Sequence, residues 1–323
     1  MCGLIGDIGG TNARFALVTD GKVEQETVKK CDDYDTISDA ITEYLGEIGR
    51  PDDLNYASFS VAGPVKGDAF TLTNHHWSFS VSQLKKDLDI EHAHLINDFV
   101  AVALGVREAA SEHILHIGKE IPKDPKANIG VIGPGTGLGV GMMIYDDVLD
   151  SFAPAPGEGG HVTMPARTMR EFELFHWLET YKYSHVSAER VCSGKGLVNV
   201  YNGLREMDGS NDLSDLEPEQ ITQRAISGEC ALCAETLDMM LAFLGRVAGN
   251  LALTITARGG IYIAGGILPK IGLDYVNQSR FRKEFECKGR FTDFMKEIPT
   301  YLVTDPFLGL KGLQADLRRI QNA

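Results

Sequence analysis

Ile5-Gly6-Asp7-Ile8-Gly9-Gly10-Thr11-Asn12-Ala13-Arg14 decides the fold, and Phe15-Ala16-Leu17-Val18 follows it directly. Apolar residues on both sides of a glycine-rich centre read as strand, tight turn, strand. Gly6, Gly9 and Gly10 let backbone N–H groups approach an anion with no Cβ in the way, and Thr11 and Asn12 add side-chain donors. Asp7 would repel phosphates unless a cation sat between them, so the stretch suits Mg²⁺ with a nucleotide phosphate. The same residues also fit an ordinary glycine hairpin with a surface aspartate.

The pattern returns about 125 residues later. Ile129-Gly130-Val131-Ile132 leads into Gly133-Pro134-Gly135-Thr136-Gly137-Leu138-Gly139, and Val140 with Met142 to Tyr145 leads out. An internal repeat at this distance predicts two related domains facing one nucleotide, each with a glycine turn for phosphate. A chain of 323 residues is also longer than one core usually serves. The expected division is residues 1–110 plus about 300–323 for a small α/β domain, and about 111–299 for a larger α+β domain. No Gly-Lys is followed by Ser or Thr, which removes the P-loop, and neither turn gives G-x-G-x-x-G before a helix.

A formal charge of −14 argues against nucleic acid or an anionic membrane as partner, since both require a basic face. The first residues carry no basic segment, the early apolar run is cut at Asp7, and Met239 to Leu268 is interrupted by Arg246 and Arg258. The expectation is a cytoplasmic protein without a secretory signal or membrane span. The six cysteines are scattered and suit a reduced compartment, and the lone Cys230-Ala231-Leu232-Cys233 has no second pair to complete a zinc site.

Between the turns, Tyr56 to Ala62 alternates as a strand, Phe70 to Thr73 as another, and Ser80 with Gln83 reads as a capping box. His94-Leu95-Ile96 is a short strand that ends at Asn97-Asp98 before a helical run from Phe99 to Val106. Ligands of open α/β sheets gather at such strand ends, although Asp98 also suits the N-cap of that helix. Ala153-Pro154-Ala155-Pro156-Gly157-Glu158-Gly159-Gly160-His161-Val162 reads as an irregular binding loop carrying Glu158 and His161. A helix follows from about Arg167 to Tyr181, with Phe172, Phe175, Trp177 and Leu178 expected to face a core. A long helix covers roughly Ala231 to Ala257, its small residues allowing close packing. Ile261 to Ala264 is a buried strand that turns at Gly265-Gly266. A strand at Thr300 to Thr304 and a last helix from about Leu310 to Ile320 finish the chain, the helix returning to the first domain.

Taken in order, GDIGGTNARFALV, SVAGPV, TNHHW, LINDF, GPGTGLGV, PGEGGHV, HVSAERV with SGKGLVN, and IAGGILP resemble the bacterial glucokinases of the hexokinase type over nearly the whole chain. The resemblance implies a two-domain ribonuclease H-like fold of the actin and hexokinase kind, with ATP and glucose in an interdomain cleft. It implies that Gly6, Asp7, Ile8, Gly9, Gly10 and Thr11 form the first phosphate turn, that Gly133, Gly135 and Thr136 form the second, and that Gly265 and Gly266 lie under the adenosine. Asp7 would act on Mg²⁺ through water, and Asp98 would be the catalytic base. Asn97, Asp98, Glu158, His161 and Glu189 would bind the sugar. The residue types agree: a hexose pocket wants groups that donate and accept, and the 6-hydroxyl needs a carboxylate to take its proton as phosphoryl transfer proceeds. The related ROK sugar kinases and repressors carry a cysteine cluster with a histidine for zinc. None follows Gly157 to His161 here, so no zinc is expected. The resemblance also implies a homodimer. The residues alone leave open a kinase for another hexose, or a non-kinase ATPase of the same fold.

Overall fold

The computed structural model describes residues 2–72, 75–210 and 214–322; Thr73 and Asn74 of the TNHHW motif lie outside them, as does the end of the strand expected at Phe70 to Thr73. The chain divides into two units, residues 1–110 with 305–323 and residues 111–304.

In the first unit, β1 (Cys2–Ile8), β2 (Asn12–Thr19) and β3 (Lys22–Lys30) form an antiparallel meander, and β4 (Tyr56–Val61) and β7 (His92–Asn97) extend it in parallel on the other side of β1. The short pair β5 (Ala69–Thr71) and β6 (Ser78–Ser80) stands apart. The β1–β2 register sets Asp7 opposite Arg14 and Ile8 opposite Ala13, so the turn closes with the Gly9 N–H donating to the Asn12 carbonyl at 3.0 Å. Helix α1 (Ile37–Ile48) begins at a capping box in which Thr36 and Asp39 satisfy each other's backbone N–H groups, and it buries Ile37, Ala40, Ile41, Tyr44 and Leu45. Helix α2 (Val81–Asp87) is capped by Ser80, whose Oγ accepts from the Gln83 N–H at 3.1 Å, but the expected capping box is only half made, because the Gln83 side chain donates to Asp87 at 2.6 Å.

The C-terminal helix, Leu308–Gln321, lies against α3 (Asp98–Val106). A side chain at Gly312 would run into the Ala101 carbonyl and one at Gly105 into that of Leu308, so glycine is what lets the two backbones touch. Asp316, fully buried, accepts from Ser58 Oγ at 2.8 Å and from His94 Nδ1 at 2.7 Å, fastening this helix to β4 and β7.

The second unit repeats the plan in the order β11-β10-β9-β12-β13-β8. Its strands are β8 (Ile114–His116), β9 (Ile129–Pro134), β10 (Leu138–Asp146), β11 (Ser151–Gly157), β12 (Ile261–Ile263) and β13 (Thr300–Val303). Again a meander, β9 to β11, is extended by parallel strands, β12 beside β9 and then β13. Because β13 pairs with β12, the return to the first unit begins at Asp305 rather than near residue 300.

Ala153 to Gly157 is not irregular, as the sequence suggests, but the outer part of β11. Pro154 and Pro156 are tolerated because β11 is an edge strand, where a missing N–H breaks no inner ladder. Helix α4 (Met169–Tyr181) buries Leu174, Phe175 and Leu178, but Phe172 is 58% exposed on its outer face, contrary to expectation. Helices α5 (Gly194–Met207) and α6 (Pro218–Ile226) pack on the long α7 (Ala231–Ile255). The helix α7 ends one residue before Thr256, which takes the left-handed conformation at φ 53°, ahead of the glycine pair. Short helices α8 (Ile267–Ile271), α9 (Leu273–Gln278), α10 (Phe281–Glu286) and α11 (Thr292–Lys296) complete the unit. Gly245 and Gly249 of α7 face the Phe281 and Phe285 carbonyls too closely for a side chain. Between them the buried Arg246 reaches both oxygens of Glu171 at 3.1 Å and Glu284 at 3.1 Å, linking α7 to α4 and α10. Removing Arg246 would leave the buried Glu171 carboxylate without its counter-charge, at a cost of about 3–5 kcal/mol.

Candidate active site

In the first unit the predicted residues collect at the carboxyl ends of parallel strands. Asp7 on β1 is in register with Ser60 on β4, and Val61 with Asn97 on β7. Ser60, fully buried, donates its Oγ–H to Asp7 Oδ1 at 2.6 Å. The other oxygen, Oδ2, looks toward Gly309 in the first turn of the C-terminal helix, where a Cβ would lie 3.9 Å away. A buried hydroxyl thus fixes the carboxylate as an acceptor at the mouth of the glycine turn. Gly6 packs under Phe59, Ile8 is buried, and Gly9, Gly10 and Thr11 form the half-open crest.

Asn97, not Asp98, caps α3. Its Oδ1 accepts from the Phe99 and Val100 N–H groups at 2.8 and 3.3 Å, and its Nδ2 donates to the Gly63 carbonyl at 3.1 Å. The residue with extended backbone ahead of the first helical one takes the cap, and that is Asn97. One amide hydrogen remains for a ligand. Asp98, the first residue of the helix, accepts from its neighbour's N–H at 2.8 Å and is half-buried.

In the second unit, Gly133, Gly135 and Thr136 lie at the end of β9, and Gly265 and Gly266 just past the neighbouring parallel strand β12. Gly265 has φ 87°, and a Cβ there would come within 2.6 Å of the Pro134 carbonyl, so only glycine lets the two turns touch. Gly135 has no neighbour within 4 Å of where a Cβ would stand. Its N–H donates to the Gly137 carbonyl, and its own carbonyl accepts from the Gly194 N–H, both at 2.8 Å. The turn is therefore anchored to the first residue of α5.

Glu158, His161 and Glu189 come together around the same turn. A single 3₁₀ turn, Gly159–His161, carries His161 back toward Glu158, with Nε2 3.8 Å from Oε2 and both side chains exposed. Gly160 sits so close to the Leu138 carbonyl that no side chain fits. The strand-like contacts Ala188 N–H to Val162 carbonyl at 2.9 Å and Met164 N–H to Val186 carbonyl at 3.0 Å then bring in the segment that carries Glu189. Glu189 Oε2 accepts from the Leu138 N–H at 3.0 Å, and a Cβ on Gly137 would lie 2.5 Å from that oxygen. This carboxylate is hydrogen-bonded to the backbone that closes the glycine turn, and its other oxygen remains for a ligand.

Beside the turn opens a pocket of about 740 Å³. Gly135, Thr136 and Gly266 form its floor; Leu197, Pro218, Ile226 and Ile267 give it apolar walls; Lys195, Thr222 and Gln223 add polar groups. Sequence reasoning assigned no role to α6 or to Lys195. The only signal was an amphipathic helix with a polar face, which does not reveal what that face lines. Ser60 was also missed, though it stands two residues along the strand from Ser58 and in the row of Asp7. Among the described residues no helix is long and apolar enough to cross a membrane.

The glucokinase family pattern matches residues 4–320. The chain is 43% identical over 317 residues to a glucokinase of Neisseria meningitidis, covering 97% of this chain and 94% of that one. It is 42% identical over 317 residues to a glucokinase of Paramagnetospirillum magneticum, covering 97% of each. The crystal structure of a glucokinase from an Antarctic psychrotroph superposes with a TM-score of 0.87 at 34% identity, over 98% of this chain and 99% of that one. A glucokinase from Balamuthia mandrillaris, solved in complex with glucose, shares the fold at 24% identity, with a TM-score of 0.82 over 98% and 93% of the two chains.

Proposed function

This chain belongs to the glucokinase family, and on that premise we propose which of its residues carry the transfer of the terminal phosphoryl group of ATP to the 6-hydroxyl of glucose. The observation that carries the reading is Glu189: hydrogen-bonded through Oε2 to the glycine turn, it stands in the loop pair that also presents Glu158 and His161. Sugar-type ligands and a phosphate-type turn are thus one construction. Glu158, His161 and the outer oxygen of Glu189 bind sugar hydroxyls, and Asn97 adds a donor. Asp98 accepts the proton of the 6-hydroxyl as its oxygen attacks the γ-phosphorus in line. The turns at Gly6–Thr11 and Gly133–Thr136 hold phosphate by the backbone N–H groups left once Gly9 has bonded Asn12 and Gly135 has bonded Gly137, and the nucleoside lies in the pocket over Gly265 and Gly266.

Asp7 suits Mg²⁺: a single carboxylate held by a buried hydroxyl, beside phosphate, is the donor set that this ion accepts with water filling its remaining positions. The ion would supply charge neutralisation between phosphate oxygens. No zinc is part of the reading. A homodimer, a cytoplasmic location and a place outside the ROK group belong to the same proposal. All three are supported by the family resemblance, and the last also by the lack of a cysteine between His161 and Cys192. Sedimentation with and without glucose tests the dimer.

Asp98→Ala decides the central assignment. It should fold and still bind glucose while turnover falls by about 10²-fold or more. Turnover near that of the parent would remove Asp98 from the role of base.

A further inference from the structure

The first turn of α5 carries a cation where a helix disfavours one. Lys195 follows the Ser193 cap and Gly194, and that turn contains no acidic residue. The N-terminal end of a helix bears partial positive charge from its unpaired N–H groups, so an anion is favoured there and a lysine is not. Among the described residues no carboxylate or carbonyl is hydrogen-bonded or ion-paired to the Lys195 amine. Lys270, also on the pocket wall, differs: its amine lies 3.7 Å from Glu219. Lys195 lines the same pocket as Gly135 and Thr136, and the Gly194 N–H to Gly135 carbonyl bond fixes its backbone beside the glycine turn. The chain carries a net charge of −14, so an anionic ligand entering here meets a repulsive overall field and needs a local cation.

We propose that Lys195 is a nucleotide-binding residue that takes the phosphate chain of the bound nucleotide as its counterion, pairing with it where the protein provides no partner. The proposal rests on the reading of this pocket as the nucleotide site. Its consequence is selective: Lys195 contributes to binding of a nucleoside polyphosphate and not to binding of the nucleoside. Lys270, already paired, contributes less.

Calorimetry on the full chain with ADP and with adenosine, at low and at moderate salt, tests it. Lys195→Met keeps the apolar stem and removes the charge. It should weaken ADP by about five- to tenfold, leave adenosine unchanged and flatten the salt dependence of ADP binding. Lys195→Arg should keep ADP affinity within about twofold. Unchanged ADP affinity in Lys195→Met, or an equal loss for adenosine, would overturn the proposal. Ile226→Arg, on the apolar wall, separates this from the underlying reading. It should abolish binding of both ligands, and if both still bind, the pocket is not the nucleotide site.

Discussion

The two glycine turns share a sequence pattern and differ in how they are held. The first, Gly6 to Thr11, closes on itself through Gly9 and Asn12, and its carboxylate is part of the turn, steadied from beneath by Ser60 on the next strand. The second, Gly133 to Gly139, has no acid of its own. It is held from outside, by Glu189 on Leu138, by Gly194 at the start of α5, and by the close approach of Gly265 to Pro134. The first turn carries its charge within itself. The second takes its carboxylate from a distant segment, Glu189, which ties that turn to the residues read as the sugar site.

The sharpest way to break this contrast is Gly265→Ala. With φ at 87° and backbone 2.6 Å away, the change should cost about 2–4 kcal/mol in urea unfolding. Gly9→Ala in the first turn meets only the Asn12 carbonyl at 3.1 Å and should cost about 1 kcal/mol. Equal losses would show that both turns are braced alike. Ser60→Ala leaves a half-buried carboxylate without its donor, a loss of about 1–3 kcal/mol. It should raise the Mg²⁺–ATP requirement about tenfold while the glucose requirement stays; kinetics at varied Mg²⁺ would read this, and an unchanged requirement would detach Asp7 from the metal. Glu189→Gln can still accept from the Leu138 N–H, so stability should move by less than about 1 kcal/mol while glucose affinity falls several-fold. A loss of stability without loss of sugar affinity would make Glu189 a brace alone. The smallest structural effect belongs to Gly135→Ala, which points into open space and should leave stability within about 0.5 kcal/mol. Any loss of ADP affinity then reports the ligand.

Much of this was legible from residue order because the strand–glycine turn–strand pattern recurs. Both hairpins and the strand ends that carry Asn97, Asp98 and Gly265 follow from apolar runs broken by glycine or polar pairs. The edge strand β3 was not legible, since Lys22 to Lys30 is nearly all polar, and neither was β11, whose prolines read as a loop until its place at the sheet edge was known. The sequence offered Asp98 as the cap of α3, and backbone geometry gave the cap to Asn97 instead, the last extended residue before the helix.

The sequence by itself determined the repeat, the α/β class and the chemical types at the site, because these depend on neighbours within a few residues. Only the tertiary structure decided that Ser60 supports Asp7, that Glu189 is bonded to the second turn, and that α6 and Lys195 wall a pocket. Those contacts join residues tens of positions apart, and strand register and loop packing set them, neither of which a local pattern encodes.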